Sequence, residues 1–325
     1  MTAPGTVPRQ AAPAGWPATG TVAFPGRSGW IALPRSRRLA RSGISAYSAC
    51  RARSVAAQYA AFHAVAVAGP RVLGPVRERP CPLPGPEWEA LAAQWQRELG
   101  PFDGVVPLLR RQPERSGFAV LLHRAGRRLA FVKLRRDTLG PEPAVLAAAG
   151  QVSLRTVSLP RLLATGASGP WHWFATEPLP AGLHRAGRPA LAPLAADAAD
   201  VVRAAVDPGP EVPPHWTASH GDLTVWNVRR SGGRLRVFDW EDATYAPPLT
   251  DVVGYLASAA AARGRSSVTL PRSLRGQDVT EAVGHWRRTV AAREGSDPAY
   301  NTRLLAALSA LAPDVRDPDA CSKTG

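Results

Sequence analysis

His220-Gly221-Asp222-Leu223-Thr224-Val225-Trp226-Asn227 and, ten residues on, Val237-Phe238-Asp239-Trp240-Glu241 decide the reading of this chain. In the first stretch a carboxylate precedes an amide by five residues. In the second, the apolar run Leu235–Phe238 ends in another carboxylate, twelve residues after Asn227. Phosphoryl transfer from a nucleoside triphosphate needs three things: a carboxylate that orients the attacking hydroxyl and accepts its proton, a hard cation that neutralises the phosphates, and oxygen ligands that hold the cation. Asp222 fits the first role, and Asn227 and Asp239 fit the third. Carboxylate and amide oxygens select Mg²⁺ over a softer metal. Asp and Asn also build turns and caps, so two tight loops without chemistry form the competing reading. The spacing, together with a lysine upstream, favours the chemical one.

That lysine is Lys133, at the end of the strand-like Ala130-Phe131-Val132-Lys133. It is the only lysine before Lys323 in a chain whose other basic residues are all arginine. A compact ammonium suits a phosphate contact. Glu142 opens the next helical stretch. It is a candidate partner for Lys133, and equally a first-turn acid that the helix dipole favours.

Together these motifs resemble the aminoglycoside phosphotransferase and choline kinase family, a branch of the protein-kinase-like fold. Kinases at large carry H-R-D-L-x-x-x-N and D-F-G. Here Gly221 replaces the arginine, and Trp240-Glu241 follow the metal aspartate, both of which point to the small-molecule branch. The resemblance covers residues 105–260. It implies that Lys133 contacts the α/β-phosphates, that Asp222 is the catalytic base, and that Asn227 and Asp239 hold Mg²⁺. It makes Trp173-Phe174-Ala175-Thr176-Glu177-Pro178-Leu179 the last strand and hinge, where backbone groups of Glu177 and Leu179 hold the base of ATP or GTP. In Ala246-Pro247-Pro248-Leu249-Thr250-Asp251, Asp251 braces the catalytic loop. The turn at Glu114–Gly117, expected over the phosphates, has a single glycine. The acceptor implied is a hydroxyl of a sugar, amino sugar or amino alcohol. A strongly cationic aminoglycoside fits less well, because the helical part is not notably acidic. A Ser/Thr protein kinase is the alternative, but the stretch from Trp240 to Asp251 is short for an activation loop. A non-catalytic nucleotide-binding module working through a basic N-terminus is another. His220, Trp226 and Trp240 read as structural, and Glu241 and Asp242 as solvent-facing.

Charge adds little. The formal balance is +15, but residues 1–77 hold ten arginines and no acid, and the remaining 248 residues carry only +5. There is no clear nucleic-acid module. Cys50, Cys81 and Cys321 are far apart and form no zinc or disulfide pattern, which favours a reducing compartment and a cytoplasmic location. No run of about 18 uninterrupted apolar residues occurs, so no transmembrane helix is expected. The sequence leaves oligomeric state open.

Periodicity sets the expected fold class as α+β: a small antiparallel-sheet lobe, then a mainly helical one. Strands are expected at Trp30–Pro34, Gly117–Leu122, Arg128–Leu134, Arg161–Ala164, Trp171–Thr176 and Leu235–Phe238. Helices are expected at Ser54–Val67, Glu87–Leu99, Glu142–Ala149, Ala190–Val206, Asp251–Ala262, Val279–Arg293 and Thr302–Leu311. Pro70–Pro86 reads as a linker. The expected division is an Arg/Pro-rich extension over 1–104, a nucleotide-binding lobe over 105–180, and a helical catalytic lobe over 181–325.

Overall fold

A computed structural model describes residues 21–25, 31–77, 81–109, 117–292 and 297–312. Residues 114–116 of the turn expected over the phosphates at Glu114–Gly117 lie outside these, as do Cys321 and Lys323.

The first lobe is built on a seven-stranded, wholly antiparallel sheet. Its strands are β1 (Val22–Phe24), β2 (Ile31–Leu33), β3 (Gly104–Leu109), β4 (Gly117–Arg124), β5 (Arg127–Arg135), β7 (Leu162–Ser168) and β8 (Trp171–Thr176), in the order β1-β2-β3-β4-β5-β8-β7. Side chains alternate between the two faces. Val120, Leu122, Val132 and Leu134 point to one face, where α3 (Gly85–Leu99) packs through Trp88, Leu91 and Trp95. Val106, Leu108, Ala119 and Leu121 point to the other. There α1 (Arg37–Ala46) and α2 (Ala52–Ala68) pack through Ala40, Ile44, Ala61, Phe62 and Val65. Helix α1 lies so close to the sheet that a Cβ at Gly43 would sit 2.7 Å from the Leu33 side chain.

The division expected at residue 104 is therefore not a division in the sheet. Strand β2, from the stretch read as an extension, pairs with β3, and α1 and α2 complete a core. The clustered arginines masked this: Arg37 and Arg38 are exposed and Arg41 lies over Phe62 of α2, while Ala40 and Ile44 of α1 enter the core.

The second lobe starts after a short α4 (Glu142–Ala148). A four-stranded sheet of β6 (Val157–Ser158), β12 (Arg234–Val237), β11 (Val228–Ser231) and β9 (Arg185–Ala186) packs with α5 (Leu191–Ala205). Leu194, Val201 and Val202 of α5 share a core with Leu223, Val225, Val228, Val237 and Trp240, and with Val145 and Phe174 from the first lobe. A two-stranded ribbon of β10 (Thr217–Ser219) and β13 (Thr244–Ala246) brackets the motif loops. Helices α6 (Thr250–Ala262), α7 (Thr280–Ala292) and α8 (Pro298–Leu311) close the lobe around Val253, Ala257, Trp286 and Leu308. The α+β, two-lobed arrangement expected from the periodicity is thus the one observed. Among the described residues, no helix is long and apolar enough to cross a membrane.

Candidate active site

Lys133 is the meeting point of the two lobes. Strand β5 pairs it with Ala119, which puts it on the sheet face that α1 and α2 cover further along. Its Nζ lies 2.5 Å from Glu142 Oε2, 2.6 Å from Asp239 Oδ1 and 3.0 Å from Glu241 Oε2. Lys133 and Glu142 are buried, and the Asp239 side chain keeps 34% of its surface accessible. A buried ammonium is tolerated because three carboxylates surround it. Arg135, two residues along the same face, also ion-pairs with Glu241.

Glu142 therefore reaches Lys133 despite the short gap of nine residues. Glu241, read from the sequence as solvent-facing, is instead half-buried between Lys133 and Arg135. Two basic residues at alternate positions of β5, both facing inward, demand acids opposite them. That was the available signal.

The second motif adopts an unusual backbone. Asp239 has φ 69°, a left-handed conformation in which Asp is among the few non-glycine residues found. Strain of this kind persists where the surroundings over-determine it. Here they include Lys133 on one side and Trp240 on the other. Trp240 is fully buried, with its ring centroid 4.3 Å from that of His220.

The catalytic-type loop is held from behind. Asp251 accepts from Ser219 Oγ at 2.8 Å and from the His220 N–H at 2.9 Å, and Ser219 Oγ accepts from the Gly221 N–H. Burial pushes the Asp251 carboxyl above its ordinary range, opposed by His220 and these hydrogen bonds. Gly221 has φ +77°, and a Cβ there would lie 1.9 Å from the Asp242 carbonyl oxygen. The two loops thus touch backbone to backbone, and only glycine fits. Asn227 Nδ2 donates to the Asp222 carbonyl at 2.8 Å and to Asp222 Oδ2 at 2.9 Å. With Nδ2 so engaged, Oδ1 is the Asn227 atom that could hold a cation.

Carboxylate oxygens of Glu142, Asp239 and Glu241 all lie within 4.8 Å of one another. The Lys133 ammonium lies among these three, and Asp239 is the most accessible of them, so Asp239 is the one whose oxygens could also reach a hard divalent cation such as Mg²⁺.

At the hinge, the Glu177 carboxylate pairs with Arg161, and its N–H bonds the Arg161 carbonyl. The Leu179 carbonyl accepts from Arg128 Nη1 at 2.6 Å. The Leu179 N–H and the Glu177 carbonyl make no hydrogen bond to any described residue. The stretch before α2 reaches the same loops from outside. Buried Arg229, two residues past Asn227, donates to the Ala49 carbonyl at 2.9 Å and to Cys50 Sγ at 3.4 Å. Cys50 Sγ in turn contacts the Val225 carbonyl. Sequence reasoning missed Arg229, because nothing in the local pattern separates it from the arginines around it.

An antiparallel sheet lobe, a helical lobe, and a lysine–carboxylate cluster facing an Asp–Asn loop define the architecture of a two-lobed phosphotransferase. A family model described as "Phosphotransferase enzyme family" matches residues 38–289, and the chain belongs to that family. No curated protein matches. Solved structures similar to it include aminoglycoside phosphotransferase APH(4)-Ia, at 13% identity over 67% of this chain and 88% of that one, with TM-score 0.40. A GDP complex of an aminoglycoside 2'-phosphotransferase-IIIa mutant gives 13% identity over 68% and 95%, with TM-score 0.43. A fructosamine-3-kinase-like structure from Haemophilus somnus gives 11% over 67% and 86%, with TM-score 0.35.

Proposed function

We propose that this enzyme transfers the γ-phosphoryl group of ATP or GTP, with Mg²⁺, to a hydroxyl of a small molecule such as a sugar, amino sugar or amino alcohol. The observation that carries the reading is the convergence on Lys133 of Glu142 and of Asp239, which is 106 residues away in sequence, beside a hydrogen-bonded Asp222–Asn227 pair.

Asp222 orients the acceptor hydroxyl and takes its proton as the new O–P bond forms. The bond from the γ-phosphorus to the bridging oxygen breaks, and the diphosphate leaves with the electron pair. Asp239 and Asn227 hold the cation, which supplies charge neutralisation on the phosphate oxygens when bound. Lys133, kept in place by Glu142, draws on the α/β-phosphates. The base is held by hinge backbone at Glu177 and Leu179. Positioning and electrostatics supply most of the acceleration in such a reaction.

The test is Mg²⁺-dependent release of nucleoside diphosphate with a panel of sugars, aminoglycosides and amino alcohols, run beside Asp222→Asn. Acceptor-stimulated turnover that falls about 10²–10⁴-fold in Asp222→Asn supports the reading. Nucleotide binding without turnover on any acceptor favours the non-catalytic module. Absence of nucleotide binding overturns the roles given to Lys133 and Asp239.

A further inference from the structure

A cavity of about 460 Å³ opens against the hinge. Its walls are α1 (Arg38, Arg41, Ser42), α2 (Phe62), the β4–β5 turn (Gly126, Arg127, Arg128) and Pro178–Ala181. Four arginines line it, and no carboxylate does. Asp103, close by, accepts from the Ala125 N–H and takes no part in the lining.

Among the described residues, none of these four arginines has a carboxylate ion-pair partner. Arg128 directs its donors to the carbonyls of Leu179, Pro180 and Ser42 and to the hydroxyls of Ser42 and Ser45. Every one of these partners is neutral. Arg41 stacks its guanidinium 4.4 Å from the Phe62 ring centroid, while its Nε is buried and has no hydrogen-bond partner. Arg38 lies over the turn, where a Cβ on Gly126 would meet its Cδ at 2.5 Å. Arg127 is exposed at the mouth. A buried donor left unsatisfied is costly, and guanidinium groups are suited to phosphate or carboxylate oxygens.

The cavity adjoins the hinge at Pro178 and Leu179 but lies away from the Lys133 cluster. Arg128 and Lys133 are five residues apart on β5, about 16 Å at ~3.3 Å per residue, and no residue of the Lys133 cluster lines it.

We infer that this cavity is an anion site that takes a small molecule bearing a phosphate, a diphosphate or several carboxylates, with Arg41 and Arg127 as its principal ligands and Phe62 as its apolar wall. It is independent of the phosphotransfer reading, and it shares Leu179 with the hinge.

The probe is inorganic pyrophosphate, titrated calorimetrically and by thermal melt into the full chain without divalent cations, against sodium chloride at matched ionic strength. Saturable binding that raises Tm beyond the salt control is expected. It should weaken about tenfold or more in Arg41→Gln/Arg127→Gln and remain in Asp239→Asn. If the double variant melts far below the parent, Arg127→Glu, a change at an exposed position, serves instead, with the same weakening expected. Citrate, titrated in parallel, separates carboxylate from phosphate ligands within the class. No saturable binding of either anion, binding unchanged in the arginine variants, or binding abolished by Asp239→Asn would each overturn the assignment.

Discussion

Among the described glycines, Gly221 has the closest contact to a would-be Cβ. Its positive φ and the 1.9 Å approach of the Asp242 carbonyl to a would-be Cβ mean that Gly221→Ala must push the two motif loops apart. The expected loss is at least about 2 kcal/mol of stability, the scale of strained backbone and overpacking. Asp222 and Asp239 ride on those loops, so turnover falls further than stability does. Thermal melts read the first quantity, and the diphosphate-release assay at a temperature where the variant is folded reads the second. Full activity in a stable Gly221→Ala protein would show that the loop contact is dispensable.

The residues that the sequence exposed at this scale were those with a recognisable spacing: Asp222, Asn227, Asp239 and Lys133. Arg229 was invisible because its role comes from neighbours far away in the chain, and Glu241 could have been placed only from the demand of inward-facing Lys133 and Arg135 for acids opposite them. Arg135 and Ala49 meet them only after folding.

Among elements, periodic and apolar ones were legible, and short or charged ones were not. The hairpin of β4 and β5, helices α3 and α5, and the three last helices sit within a few residues of their expected bounds. Strand β1, three residues long, carries too little pattern to register. Helix α1 was hidden by three arginines within five positions (Arg37, Arg38 and Arg41), although its other face packs on β2. Strand β3 was passed over because Pro107 interrupts it, and proline demotes a strand in any sequence reading. The arginine that joins these elements to the second lobe gives the sharpest test here. Burial lowers the Arg229 pKa, while Cys50 and the tyrosines around it act in the opposite direction. Arg229→Ala leaves the Ala49 carbonyl unpaired and a cavity beside Asn227. It should cost about 3 kcal/mol, seen as a lower denaturation midpoint with the slope unchanged. A midpoint within error of the parent would mean that the stretch before α2 docks without it.

At the scale of the whole molecule, acid stability depends on two buried histidines near the hinge. Burial, with the nearby charge of Arg128, lowers the pKa of His123 from 6.5 to about 4, and His184 shifts likewise. Below pH 6.5 the unfolded chain takes up protons that the folded chain refuses. Stability is therefore fully present above 6.5 and is lost as pH falls toward about 4, by about 3 kcal/mol per histidine. Melting temperatures measured from pH 7 to 4 should decline more steeply in the parent than in His123→Asn. Equal slopes would remove His123 from the account. Asp251, whose pKa burial raises, acts in the opposite direction, and for that reason the comparison is made between slopes.

Arg229 and Cys50 knit residues 47–51 to the catalytic-type loop, and Arg51 pairs with Asp297 at the start of α8. Chain connectivity and mechanical connectivity therefore run in different directions. Three parts, the outermost of them 246 residues apart, form one buttress, and a cut at position 104 would sever it without touching a motif. A chain beginning there keeps every presumed ligand of nucleotide and cation. It is nonetheless expected to show faster amide exchange across residues 220–230 than the full chain does. Protection in the shortened chain equal to the full chain's would show that those loops stand on their own.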